Sequence, residues 1–242
     1  MTPPPAVAVF PAWFTVAAIV SLTVAALCAV FVTVDVTLRP QRMSVMNVVW
    51  PVTMLFGGLL WLGLYLLRGR TPRTGASQPD GDGSMAGAVA VGASHCGAGC
   101  AIGDVIAEFS LALVPGLAAV FGAGTLFQDE MYAAWIADFI FAFGLGIVFQ
   151  YFAIAPMRNL PVRRGLWEAL KADALSITAW QVGMYGVMAL AQLAILPALF
   201  GTRAAVLSPE FWFVMQIAML AGFATSYPVN WWLIRAGIKE RM

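Results

Sequence analysis

The run WFTVAAIVSLTVAALCAVFVTV, residues 13–34, holds no charged side chain over the length of a membrane crossing. An α-helix rises 1.5 Å per residue and the hydrocarbon core of a bilayer is ~30 Å thick, so about 20 apolar residues make one span. Pro11 precedes the run, and Asp35 with Arg39-Pro40 closes it. Comparable runs follow at about 46–67, 100–121, 131–155, 174–200 and 211–234. All are too long and too continuously apolar for the ~10-residue alternating strands of a membrane barrel. Composition points the same way. The chain is 61% hydrophobic and 10% charged with a mean hydropathy of +0.85, against ~45–50% and ~25% in soluble proteins. Too few charges exist to cover a water-soluble fold of 242 residues. The expected class is all-α: a polytopic integral membrane helical bundle with about six transmembrane helices.

Net charge is +1, and no basic tract exists, which excludes nucleic acid as a partner. The first fourteen residues, MTPPPAVAVFPAWF, lack the positive n-region of a signal peptide, so the first apolar run is expected to be retained. Three cysteines (Cys28, Cys96 and Cys100) are no disulfide framework. One compositional boundary stands out: RGRTPRTGASQPDGDGS, at 68–84, is rich in Gly, Pro and Ser and reads as a flexible cytoplasmic linker. It divides a two-helix N-terminal membrane segment (1–67) from a four-helix membrane domain (85–242). The stretch from 85 to 122 is longer than one span and shorter than two. Its third helix is expected at about 100–121, kinked at Pro115, with the Gly-dense residues 85–99 as a short lead-in.

Six crossings put both termini on one side. With both termini cytoplasmic, ten Lys and Arg fall inside, and Arg39, Arg42 and Arg203 fall outside. The reverse orientation would place the ten outside, against the positive-inside bias.

Several segments, MNVVWPVT (46–53), SHCGAGCAIGDVIAE (94–108), DFIFAFGLGIVFQYFAIAPMR (138–158), ALKADALSITAWQVGMYG (169–186) and SPEFWFVMQIAMLAGFATSYPVNWWLIRAGIKE (208–240), resemble the bacterial domain-of-unknown-function family 4396. The resemblance extends from Met46 onward. It implies a multi-pass protein of the bacterial inner (cytoplasmic) membrane and carries no activity with it.

The densest local chemistry is Ser94-His95-Cys96-Gly97-Ala98-Gly99-Cys100, with the single histidine and two of the three cysteines. Imidazole and thiolate together suit Cu(I) or Zn(II), so His95, Cys96 and Cys100 are candidate metal ligands, expected at the cytoplasmic end of the third span. The competing reading is a tight helix crossing built from small residues, with Gly99 and Gly103 in small-xxx-small spacing. Cys96, Cys100, Asp104 and Glu108 recur every four residues, a stripe that drifts slowly round one helix face. Ionisable side chains inside a bilayer are expensive and default to a bundle interior or a water path. Asp104, Glu108 and, on the fourth span, Asp138 are therefore expected along a transport path. Gln181, Ser226 and Asn230 join them as polar groups on the fifth and sixth spans. Met184/Met188 and Met215/Met219 are i,i+4 thioether pairs. Thioethers suit Cu(I), although methionine is also a common apolar filler.

No HExxH, GxSxG, Walker A or GxGxxG motif is present, so no organic cofactor and no enzymatic class is indicated. The leading expectation is a transporter, or membrane-embedded handler, of a soft transition-metal ion, Cu(I) first. Its partners would be the lipid bilayer, the metal ion, and a cytoplasmic metal carrier or further copies of the chain. A non-catalytic accessory or assembly subunit of a membrane complex is the alternative. A membrane thiol oxidoreductase is less favoured, because the spacing is CxxxC in place of CxxC.

Overall fold

The computed structural model describes residues 10–71, 84–114 and 116–240, without side-chain detail at 155–158. The middle of the expected 68–84 linker and the Pro115 kink lie outside the described residues. Regular structure is helical: α1 (Ala12–Leu38), α2 (Met46–Leu64, prolonged by a π turn Tyr65–Gly69), α3 (Met85–Leu113), a short α4 (Leu117–Val120), α5 (Glu130–Arg158), α6 (Val162–Ala189), α7 (Leu196–Phe200) and α8 (Pro209–Arg235). A π turn, Leu190–Ile195, joins α6 to α7 into one long rod. Six of these helical stretches are long and apolar enough to cross a membrane. Leu27, Leu67 and Val182 are 64, 82 and 66% exposed on the outside of the bundle, where lipid replaces water as solvent.

Two elements differ from the sequence expectation. The third long helix runs from Met85 to Leu113, so residues 85–99 form its first half instead of a lead-in. The Ser84 hydroxyl accepts the Gly87 N–H at 3.3 Å and caps the start. The helix stops at Leu113 and Val114 turns extended (φ −109°, ψ 101°), as a residue before proline prefers. Glycine density argued against a helix only because glycine weakens helices in water. Between packed membrane helices, small residues let backbones approach. The cysteine–histidine cluster consequently sits at mid-helix, not at a helix end.

The second difference is in α2. Gly58 adopts φ 48°, ψ −129°, which breaks the helix. The chain folds back: the Trp50 and Tyr65 rings stand 5.4 Å apart, and Gly69 lies so close to the Trp50 indole that a Cβ there would clash. In a straight helix positions 50 and 65 would be about 22 Å apart. The apolar stretch Met46–Gly69 is thus a helical hairpin with its tip at Gly57-Gly58. Both its ends lie beside the end of α1, where Asp35 accepts hydrogen bonds from Tyr65 at 2.7 Å and from Arg70 at 2.8 and 3.0 Å.

The remaining helices follow from this. The Thr15 hydroxyl donates to Glu210, and Ser21 to Gln216 at 2.7 Å, so α1 and α8 run parallel. Helices α3 and α5 run antiparallel, Gly99 meeting Gly146 and Gly103 meeting Ala142. Helices α6 and α8 also run antiparallel, with Ser176 donating to Asn230 at 3.1 Å and Thr225 to the Ala179 carbonyl at 2.7 Å. With α2 folded back, Phe10 and Lys239 lie at opposite ends of the bundle.

Candidate functional site

Helix α3 is the axis of the polar interior. A Cβ at Gly99 would fall 2.7 Å from the Gly146 Cα, and one at Gly103 would overlap the Ala142 backbone. That contact sets the register with α5. One turn toward the start of α3, His95 comes level with Gln150; one turn the other way, Ala107 and Glu108 come level with Asp138.

Cys96, Cys100 and Asp104 are fully buried, and Glu108 is 5% exposed. Asp138 is fully buried on α5, one turn from the Gly103–Ala142 contact and so level with the Asp104–Glu108 turn of α3. None of the four carboxyl oxygens of Asp104 and Asp138 has a hydrogen-bond partner among the described residues. Gln181 of α6 lies against Asp104 without reaching hydrogen-bond geometry. Tyr185 borders the same group, its hydroxyl donating to the Trp135 carbonyl at 2.9 Å and its ring stacked on Trp135 at 4.8 Å. Three buried carboxyls from two helices thus lie along one stretch of the α3–α5 contact.

Glu108 forms the floor of a cavity of about 230 Å³, rimmed by Glu130, Gln192, Arg203 and Phe211. Arg203 pairs with Asp129 at the mouth and holds that carboxyl below its ordinary range. Gln192 is held on both sides by Ala204, which fixes the loop closing the cavity.

The other end of the seam contains a group that sequence reasoning missed. Lys239, beyond the end of α8, is inserted between α3, α6 and α8 with its side chain fully buried. Its ammonium pairs with Asp173 and donates to Asn230 Oδ1 at 2.7 Å and to the Gly92 carbonyl at 3.3 Å, with Cys96 Sγ at 3.6 Å. The turn that directs it inward is local. Gly237 adopts φ 69°, and the Ile238 and Lys239 amides bond back to the Leu233 carbonyl at 3.0 and 3.2 Å. This is the glycine-terminated helix end that reverses a chain. Burial alone would push the Lys239 ammonium down; the adjoining Asp173 outweighs it and holds Lys239 above its usual value. In the sequence Lys239 read as a topogenic loop charge, and the only hint of its return was Gly237.

The predicted ligands fare unevenly. His95 is buried with both ring nitrogens unpartnered. Cys96 donates to Asp173 at 3.1 Å, and both Cys96 and Cys100 are free thiols. Among the described residues no three His, Cys, Asp or Glu side chains converge closely enough to hold a metal ion. Asp104, Glu108 and Asp138 lie along one stretch of the α3–α5 contact with Gln181 against Asp104, and Asn230 joins Cys96 through Lys239. Ser226 is buried but spends its hydroxyl on the Phe223 carbonyl at 3.2 Å. Met184, Met188, Met215 and Met219 are all buried in the apolar core.

Fold and seam together define a multi-pass helical membrane protein with an ionisable interior. The family described as Domain of unknown function (DUF4396) matches residues 87–239, and the chain belongs to it. The matched region takes in the whole seam, from the start of α3 to Lys239, and leaves out α1 and the α2 hairpin. No curated protein and no solved structure matches the chain.

Proposed function

We propose that the protein is a transporter of a soft monovalent cation, Cu(I) first, across the bacterial inner membrane, coupled to protons carried on Asp104, Glu108 and Asp138. The observation that carries this reading is the burial of three carboxyls along one stretch of the α3–α5 contact, two with no hydrogen-bond partner among the described residues, in a bundle whose outer surface is apolar. A structural bundle gains nothing from such groups, because each disfavours insertion by roughly 2.5–3.5 kcal/mol at mid-membrane. Groups that load and release protons or cations account for them. The selectivity for a soft ion rests on the chemistry further along the same stripe, where Cys96 and Cys100 supply thiols next to His95, and on the buried methionines of α6 and α8.

Direction follows from the hairpin. With α2 folded back, every described Lys and Arg except Arg203 belongs to segments at the Lys239 end of the bundle. Ten positives against one is a stronger bias than the eight against three that the same residues give in a six-crossing chain. We therefore assign the Lys239 end to the cytoplasm, with the Glu108 cavity opening on the far side and α1 entering from there.

The test is Cu(I) flux into proteoliposomes with internal pH recorded together with metal. Uptake above that of empty vesicles, accompanied by a pH change, supports the reading. Protein-independent uptake contradicts it.

A further inference from the structure

Lysine carries three N–H donors, and three oxygens around Lys239 take them. Asp173 Oδ1, Asn230 Oδ1 and the Gly92 carbonyl accept from its ammonium, and the Cys96 thiol, 3.6 Å from it, donates to the same Asp173 Oδ1. Asp173 Oδ2 is buried with no partner. His95, the residue before Cys96 on α3, is also buried with both ring nitrogens unpartnered. A structural staple would match its acceptors to the donors available, since an unpaired buried acceptor is destabilising. A buried carboxylate oxygen left over beside one positive charge is instead the make-up of a cation site.

We propose that Asp173, Asn230, the Gly92 carbonyl and Cys96 form a binding site for a monovalent cation, and that the Lys239 ammonium is its tethered occupant, displaced when a free ion arrives. Charge sets the valence. One carboxylate balances one ammonium, and exchanging it for another single positive charge leaves the site neutral, whereas a divalent ion would leave excess charge in a low-dielectric interior. The site's three oxygens suit any monovalent cation, and the Cys96 sulfur is the one soft ligand that a Cu(I) ion would use. Lys239 sits four residues past the end of α8 on a glycine turn, so it can withdraw without moving a packed helix. The site lies one helix turn from Cys100 along α3 and about 18 Å from Glu108, at the other end of the seam. The inference rests on the transport reading for its choice of ion, and on the geometry alone for the site.

The experiment uses the full chain in detergent, with Lys239→Met to remove the tethered charge and Lys239→Met/Asp173→Asn to remove both charges. Binding of Cu(I) is measured anaerobically by competition with a chromogenic chelator, and of Na⁺ and K⁺ through the shift in thermal midpoint. Lys239→Met should bind one Cu(I) about tenfold or more tighter than wild type, and the double variant should lose that binding. Should Lys239→Met fail to fold, wild-type protein provides the reading: acetylation of the Lys239 amine by acetic anhydride, followed by mass spectrometry, should rise about tenfold when Cu(I) is added. A Lys239→Met protein that binds none of the three ions, or a Lys239 amine equally unreactive with and without them, overturns the proposal. Binding of Na⁺ or K⁺ in preference to Cu(I) upholds the site and removes the soft-ion cargo. Intact Cu(I) flux in wild type with no ion bound by Lys239→Met removes the site and leaves the transport reading standing.

Discussion

Trp50 and Tyr65 hold their rings 5.4 Å apart in an edge-to-face contact, although fourteen residues of apolar chain lie between them. That contact closes the hairpin. It also decides which loops share a face, because the first arm begins and the second arm ends beside the end of α1. Non-helical backbone at membrane depth is tolerated only where protein covers it. Here Gln216 donates to the Leu55 carbonyl at 2.7 Å, just before the tip, and is itself held by Ser21.

The hairpin predicts where the loop between α1 and α2 lies. In whole cells, a cysteine introduced by Ser44→Cys should resist a membrane-impermeant maleimide, and one introduced by Thr202→Cys should react. Labelling of Ser44→Cys from outside would restore six crossings and put Arg39 and Arg42 back on the outer face.

The α3–α5 contact predicts a sharp contrast between two glycines. Gly103→Val drives side-chain atoms into the Ala142 backbone and should cost about 1–3 kcal/mol, the usual penalty for overpacking. Gly144→Ala on the same α5 meets nothing within 4 Å and should be neutral or stabilising by about 0.5–1 kcal/mol, since alanine is the better helix former. Thermal midpoints in detergent compare the two. Equal midpoints would mean that the close approach at Gly103 is absent.

The apolar runs were legible in the sequence because hydropathy reports length directly: α1, α5 and α8 lie close to where they were expected, and the rod Val162–Phe200 contains the expected 174–200 run but begins twelve residues earlier. Hydropathy does not report direction, so an apolar stretch reads alike whether it crosses or turns back at Gly57-Gly58. The buried carboxyls of Asp104, Glu108 and Asp138 were legible for a related reason: a charge inside an apolar run announces itself. Lys239 was not, because it follows its helix, and only the left-handed turn at Gly237 carries it inward. The Gly-rich start of α3 was misplaced because glycine signals a loop in water and a helix contact in a bilayer.

The Asp129–Arg203 pair at the cavity mouth predicts a pH dependence. Arg203 holds Asp129 below its ordinary value, so the pair contributes stability above the unfolded carboxyl value, near pH 4. That contribution is lost as pH falls through the lower folded value. Both side chains are partly exposed, so the effect is small, about 0.2–1 kcal/mol. Arg203→Gln should lower the thermal midpoint slightly at pH 7, and the difference from wild type should vanish near pH 2–3. A difference that persists there would assign it to packing in place of charge.

The central claim is that the buried carboxyls handle protons during transport. The most direct measurement is Cu(I) uptake, recorded with internal pH in proteoliposomes, for wild type beside Asp104→Asn, Glu108→Gln and Asp138→Asn, each first checked for intact folding by its thermal midpoint. We predict that every variant stays folded, that uptake falls about tenfold or more, and that the accompanying pH change disappears. Uptake equal to wild type with an unchanged pH response in all three variants would contradict the account.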